Sequence, residues 1–240
     1  MKIVLHNYWR SSASHRVRIA LGLKELAYEY VVVNIVKDAQ HADTYRARNP
    51  MAQVPTLEIT EDDGTVWSIS QSLPIMEYLD ERWPENPILP SKPFGAGTAK
   101  IDRAYAFMRA RARSLAEIIN SGIQPLQNLT TTKAVKQFGG DEAVWPKAFI
   151  TDGLAAYEQL ALDTAKRIGA AANGSVEWPF SVGDAPTIAD CCLIPQLASA
   201  RRFGVDYKKH ELLARIEERC MALPAFANAM PDKQPDAVRT

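Results

Sequence analysis

The sequence predicts an α/β domain over residues 1–83 followed, after a linker at 84–98, by an all-helical domain over 99–240. Three observations carry this. Short apolar runs of strand character alternate with helix-spaced apolar residues as far as Trp83, prolines and glycines then crowd the chain, and only helical spacing recurs beyond them. In the first part, Ile3–Leu5, Tyr28–Val33, Thr56–Ile59 and Val66–Ile69 read as strands. Val17, Ala20 and Leu21 mark a helix between the first two, and Leu73, Met76 and Leu79 another after the fourth. The order is β-α-β, an irregular or short helical piece, then β-β-α. Glu61-Asp62-Asp63-Gly64 supplies the turn between the last two strands, with Gly64 suited to positive φ. Pro84, Pro87, Pro90, Pro93, Gly95 and Gly97 then exclude regular structure.

In the second part, Ile101, Tyr105, Met108, Ala112, Leu115 and Ile119 alternate spacings of four and three, one apolar stripe on a long helix ending near Gly122 and Pro125. Arg103, Arg109, Arg111 and Arg113 lie on or beside its flanks and are expected to form a solvated basic face. Asp141–Ile168 predicts a helix or helix pair, Glu211–Leu223 another, and the small-residue stretch Ala170–Phe180 an exposed loop. Thr187-Ile188-Ala189-Asp190 fits a capping box that opens a helix, in which Pro195 is expected to introduce a kink.

Composition narrows the function classes. Lys+Arg and Asp+Glu both number 28, so the overall balance offers no attraction for nucleic acid or an anionic membrane, and a small molecule is the better partner. No apolar run approaches the roughly 18 residues of a membrane span, and the expected location is the cytoplasm. Cys191, Cys192 and Cys220 lack metal-ligand spacing and read as buried thiols, so no metal is expected.

Ser11-Ser12-Ala13-Ser14 stands where the first strand turns into the first helix. The first N–H groups of a helix lack internal partners and carry partial positive charge, so a thiolate or carboxylate there is stabilised and a hydroxyl can hydrogen-bond it. On the residues alone, simple helix capping by these serines stands equal to that reading, since Ser is a favoured N-cap residue. A serine nucleophile is disfavoured, because no His/Asp partnership around Ser11 is evident. His15 reads as a helix surface residue or a ligand contact. Val54-Pro55 taken alone is an ordinary trans proline opening a strand, only about 5–6% of such bonds being cis. Gln71-Ser72, with Pro74 in the first helical turn, reads as a helix N-terminus that is either plainly capped or open to a carboxylate.

Trp9-Arg10-Ser11-Ser12, Arg16-Val17-Arg18-Ile19-Ala20-Leu21, Asn49-Pro50-Met51-Ala52-Gln53-Val54-Pro55-Thr56-Leu57, Gln71-Ser72, Ser121-Gly122-Ile123-Gln124-Pro125-Leu126-Gln127-Asn128-Leu129, Val182-Gly183-Asp184 and Ala200-Arg201-Arg202-Phe203 follow one another along nearly the whole chain. In this order and spacing they resemble the zeta-class glutathione transferases, whose founding activity is maleylacetoacetate isomerase. The resemblance implies a thioredoxin-like N-terminal domain, an all-helical glutathione-transferase C-terminal domain carrying substrate and dimer contacts, and a homodimer. It implies glutathione as cofactor, bound by Ser11, Ser12, Gln40, Val54, Pro55, Gln71, Ser72, Gln124, Asn128, Leu129 and Thr130. Val54-Pro55 then becomes a cis corner that offers the Val54 backbone to an extended peptide ligand.

By the same resemblance Ser11 is the central catalytic residue, stabilising the glutathione thiolate, and Ser12 a supporting donor. Arg10 and Arg202 are the groups that hold a dicarboxylate substrate and its enolate, with Arg201 an exposed neighbour. The implied reaction is cis–trans isomerisation of 4-maleylacetoacetate to 4-fumarylacetoacetate in tyrosine and phenylalanine breakdown, with glutathione transferase or α-haloacid dehalogenation as side activities. Thiolate addition turns the conjugated double bond into a rotatable single bond, and elimination restores it as trans. Two departures qualify this. Ala13 replaces a cysteine common in eukaryotic members. Ser14-His15-Arg16 is shared with bacterial relatives that isomerise maleylpyruvate, yet those place an arginine where this chain has Leu129 and Thr130. Maleylpyruvate isomerase is the alternative among enzymes, and a non-catalytic glutathione-fold binding protein the alternative outside them.

Overall fold

A computed structural model of the chain describes residues 1–91, 99–171 and 177–238. β1 (Lys2–Asn7) pairs parallel with β2 (Glu29–Val32) and antiparallel with β3 (Thr56–Thr60), which pairs antiparallel with β4 (Val66–Ser70), so the sheet runs β2-β1-β3-β4. A parallel pair needs a crossover, and α1 (Ser12–Leu23) supplies it. Ile3 faces Ile59 and Leu5 faces Leu57 across β1 and β3, and all four are buried, which pins the register by a shared apolar face. The β3–β4 turn closes with Gly64 at φ +85°, as its sequence predicts. The irregular piece holds two short 3-10 turns and α2 (Asp43–Arg46), and α3 (Ser72–Arg82) follows β4.

The chain divides into two compact units, Met1–Asn86 together with Leu223–Thr240, and Pro87–Ala222. The last segment therefore belongs with the first domain, where a boundary drawn at the linker alone had grouped it with the helices. Its α9 (Pro224–Ala229) packs on α1. Gly22 makes the approach possible: a Cβ there would stand 3.1 Å from both Cα and Cβ of Ala225. On its other side α1 packs on α3. Buried Lys24 ties the two helix ends together through Asp80 at 2.6 Å and the carbonyl of Trp83 at 2.7 Å.

In the second unit α4 (Ala99–Glu117) runs on into a π-helical turn, Ile118–Ile123, as far as the sequence predicts. It is followed by α5 (Leu129–Gln137), α6 (Val144–Ala171), α7 (Ile188–Arg202) and α8 (Glu211–Met221). α4 packs on α6 and α7, and its stripe is consumed there: Ala112, Leu115 and Ile119 are fully buried, Tyr105 and Met108 half-buried, and Ile101 exposed. Ile123 fills the space over Gly153 of α6, where a Cβ would lie 2.4 Å from its Cδ1. The expected solvated basic face does not form. Arg103 is exposed, but Arg109, Arg111 and Arg113 are half-buried, and Arg111 pairs with Asp163 at 2.8 Å over the Phe107 ring. Arginine stems cover apolar surface while their heads find partners.

The stretch Asp141–Ile168 yields one helix opened by Asp141, whose Oδ1 accepts from Ala143 and Val144 N–H. Of the expected loop Ala170–Phe180, residues 172–176 lie outside the described residues, 170 and 171 are helical, and Trp178 is buried rather than exposed. The predicted linker is irregular as far as it is described, with Ile88 and Leu89 buried; 92–98 lie outside the described residues. α7 opens with the predicted capping box and stays helical through Pro195 to Arg202. Two buried amides, Gln127 and Gln196, exchange reciprocal hydrogen bonds of 3.0 and 2.9 Å. The three cysteines are free and buried. Among the described residues there is no cluster suited to hold a metal ion, and no helix long and apolar enough to cross a membrane.

Candidate active site

The strand register gathers the sequence motifs of the first unit at one end of the sheet. Asn7 lies opposite Val32, His6 opposite Thr56, and Thr56 opposite Ser70. The turn to Ser11 leaves the end of β1, Val54-Pro55 enters the start of β3, Gln71-Ser72 leaves the end of β4, and the 3-10 turn holding Gln40 follows β2, so all four issue from the same edge. α1 and α3 both begin there. Two helix N-termini place unpaired N–H groups and partial positive charge at this edge, which favours an anionic ligand.

Ser11 is the N-cap of α1, and its Oγ accepts from Ser14 N–H at 3.2 Å. Capping and anion binding are thus compatible. The oxygen is used as an acceptor toward the helix, and the hydroxyl hydrogen is left to donate outward. Ser12 is the first helical residue, and both serines are half-buried. His15 is neither a surface residue nor placed to meet a ligand: it is 1% exposed in a helix buried from Ser14 to Leu21. Burial first, then the charges of Arg18 and Arg16, hold its pKa well below the usual imidazole value, so it is neutral. Arg16, equally buried, donates to Ser72 Oγ at 3.0 Å and so links α1 to the start of α3. Sequence reading missed that role; its signal was two cations spaced i, i+2 in a helix otherwise built for burial.

α3 begins at Ser72 without a side-chain cap. Gln71 instead has φ +72° and ψ 127°, a region that side chains rarely adopt and that clusters at ligand sites, and its amide lies 3.4 Å from Gln53 Oε1. Pro74 has no N–H, so Ser72 and Leu73 present the open donors of this turn. The Val54–Pro55 bond is cis, and the Val54 N–H and C=O have no partner among the described residues. Gln40 Oε1 is buried without a hydrogen-bond partner. An open N–H and C=O pair, a helix N-terminus and a lone amide oxygen together fit a peptide with a carboxylate at one end.

The family model described as glutathione S-transferase, N-terminal domain, matches residues 10–82. Maleylacetoacetate isomerase of Dictyostelium discoideum is 39% identical over 241 residues, 98% of this chain and 96% of that protein. The chain belongs to the zeta class of the glutathione transferases. The zeta-class relatives include solved structures. The crystal structure of maleylacetoacetate isomerase from Anaeromyxobacter dehalogenans 2CP-1, with bound glutathione in its active site, is 44% identical with a TM-score of 0.78 over 99% of this chain and 98% of that one. The holo structure of maleyl pyruvate isomerase, described as a bacterial zeta-class enzyme, is 36% identical with a TM-score of 0.79, over 98% and 100%.

In this zeta-class chain Arg10 and the residues of the first unit nominated to bind glutathione share the edge just described. Arg10 is exposed, its guanidinium 5.9 Å from the centre of the Trp9 ring. The other nominated residues belong to the second unit. Gln124 closes the π-helical turn, its N–H bonded to the Ile119 carbonyl at 2.8 Å; Asn128 is the N-cap of α5 with no side-chain cap bond; Leu129 and Thr130 are exposed. Arg202 ends α7 and is exposed, stacked 4.8 Å from the Phe203 ring, whereas Arg201 is engaged by Tyr207 and Glu217. Both arginines are exposed, and Arg201 braces α7 against α8.

Proposed function

We propose that this chain catalyses the glutathione-dependent cis–trans isomerisation of 4-maleylacetoacetate to 4-fumarylacetoacetate, a step of tyrosine and phenylalanine breakdown. The observation that carries the reading is the Ser11 hydroxyl, capping α1 at the edge where the Val54 N–H and C=O and the first backbone N–H groups of α3 stand open. Bound glutathione supplies a thiol that, once ionised, adds reversibly to the conjugated double bond. Ser11 and the first turn of α1 favour the thiolate by a hydrogen bond and by the helix dipole, lowering the pKa from about 8.5 for a free thiol. Ser12 is a second donor. Gln40, Val54 with Pro55, and the start of α3 hold the peptide and its carboxylate, and Gln124, Asn128, Leu129 and Thr130 complete its surroundings. Arg10 and Arg202 bind the substrate carboxylates and oppose the negative charge that develops on its carbonyl oxygen.

Maleylpyruvate is the competing substrate, favoured by Ser14-His15-Arg16 and by the maleyl pyruvate isomerase relative. Leu129 and Thr130, in place of an arginine, favour maleylacetoacetate. Titration calorimetry with glutathione and a coupled assay of the two substrates test the proposal. Saturable binding with higher kcat/KM on maleylacetoacetate is the expected result. A folded protein that binds no glutathione at millimolar concentration is a scaffold instead, and a preference for maleylpyruvate reassigns the substrate.

We further propose a cytoplasmic homodimer. Free buried thiols suit a reducing compartment. With the α4 stripe consumed inside its own unit, the adhesive surface is drawn from the exposed Met51, Val66 and Trp67 of the first unit. Light scattering decides it: an active species of 26.6 kDa is a monomer and overturns the pairing.

A further inference from the structure

The turn that carries Ser11 is held from the far end of the chain. Trp9, two residues before Ser11, has both of its backbone polar groups engaged by side chains: its N–H donates to Asp236 Oδ2 at 3.1 Å, and its carbonyl accepts from Arg18 Nη2 at 3.0 Å. Arg18 also donates through Nε to the Ala229 carbonyl at 3.2 Å, joining α1 to the end of α9, and through Nη1 to Asn7 Oδ1 at 3.1 Å. Asp236 is fixed in turn by the Tyr30 hydroxyl of β2, which donates to its Oδ1 at 2.5 Å. Burial, followed by the bond to Asp236, raises the Tyr30 pKa, so this hydroxyl stays a donor. The tail reaches this place because Gln234 turns it, donating to the carbonyls of Asn228 and Met230 at 2.9 and 2.8 Å. Beyond Trp9 the turn is completed by Ser11 N–H bonded to the Tyr8 carbonyl at 3.0 Å.

These bonds share one consequence. The two bonds hold the peptide planes on either side of the Trp9 Cα. Turning φ or ψ of Trp9 would swing the backbone of Arg10 and Ser11, and with it the direction of the Ser11 hydroxyl, and both turns are resisted by hydrogen bonds to charged groups, stronger than neutral pairs. We propose that Asp236 is a positioning residue for the reaction. Carried on the C-terminal tail and steadied by Tyr30, it fixes the Tyr8–Trp9 peptide through the Trp9 N–H, and with Arg18 on the Trp9 carbonyl it thereby sets the placement of Ser11 Oγ. The inference rests on the glutathione-dependent reading above, and its test is chosen to stand apart from it.

Hydrogen–deuterium exchange on the full chain without glutathione reads the positioning directly. In Asp236→Ala the amides of Trp9–Ser12 should exchange about tenfold faster, as expected for one lost hydrogen bond to a charged group, while β1, β3 and α3 keep their protection. Tyr30→Phe, which keeps the carboxylate and removes its anchor, should shift the same amides by less; it carries the test if Asp236→Ala fails to fold. With glutathione present, Asp236→Ala should raise the pH at which the bound thiolate absorbs and lower kcat, leaving the KM for glutathione in place. Misplacing a catalytic donor costs turnover rather than binding. Unchanged exchange at Trp9–Ser12, protection lost evenly across the unit, or an unmoved thiolate titration with full kcat overturns the proposal. If the native protein neither binds glutathione nor isomerises either substrate, the functional reading fails, and the exchange data still decide whether Asp236 holds the turn.

Discussion

The helix starts at α3 and α7 are built in opposite ways. At α7 the carboxylate of Asp190 is wholly buried and accepts four hydrogen bonds, from the N–H and hydroxyl of Ser181 at 2.9 and 2.7 Å and from those of Thr187 at 2.8 and 3.2 Å, while Tyr157 backs Ser181 at 2.7 Å. At α3 no side chain caps the helix, the preceding residue is held at positive φ, and the first N–H groups stand open. α1 lies between these extremes, its Ser11 accepting one bond and free to donate another. A closed helix start is part of the fold's own fabric, and an open one is a place prepared for a ligand.

Damaging each kind of start separates chemistry from stability. Ser11→Ala should lower kcat by about 10²–10³, the cost of removing one preorganised donor, while the loss of the cap costs about 1 kcal/mol of stability. Steady-state kinetics beside urea denaturation measure both, and unchanged turnover would move the catalytic role to Ser12 or to the helix dipole. Asp190→Ala should do the reverse. With four buried donors stranded, stability should fall by about 3 kcal/mol or more, and glutathione should bind the remaining folded molecules with native affinity. Lost affinity in folded protein would show that the two starts are coupled.

Smaller effects sharpen the contrast. Arg202→Ala and Arg10→Ala should each raise the KM for the dicarboxylate about tenfold, the value of a hydrogen bond to a charged group, with glutathione affinity unchanged. Arg202→Lys should recover only part of it, because an ammonium cannot make a two-pronged contact. Loss of glutathione binding alone in either alanine variant would remove that arginine from the substrate role. The effect of His15 shows only as pH falls. Its folded pKa is depressed below its unfolded value, so the unfolded chain takes up a proton first as pH falls below about 6.5, and stability drops by up to about 1.4 kcal/mol per pH unit toward the folded pKa. Above that window the contribution is fully present. Denaturation midpoints of His15→Gln should lack this component, and identical pH profiles for the two proteins would contradict a neutral, buried imidazole.

The sheet and its helices were legible because local chemistry specifies them. The apolar run at Ile3–Leu5, the alternation at Thr56–Ile59, the turn at Gly64 and the box at Thr187–Asp190 each signal within a few residues. The cis Val54–Pro55 bond was legible only through resemblance, since the dipeptide itself favours trans. His15 and Arg109–Arg113 misled because polarity is a local property and burial is not. α1 lies against both α3 and α9, which leaves it almost no solvated face for a polar residue to occupy. The return of the tail left no local signal, because Asp236 meets Trp9 across 227 residues of sequence. The reactive edge was therefore readable as motifs, and the parts that hold it in place were not.

The head-to-tail pairing of Gln127 with Gln196 makes two distant positions one heritable variable. Each amide uses the other's donor and acceptor in a buried site, so replacing either alone strands both groups of its partner. Only a joint exchange, such as two apolar residues of matching volume, escapes that cost. Gln127 adjoins Asn128 and Gln196 lies on the helix that ends in Arg202, so change beside the residue proposed for the cofactor and change on the helix proposed to carry a substrate arginine become a single mutational unit.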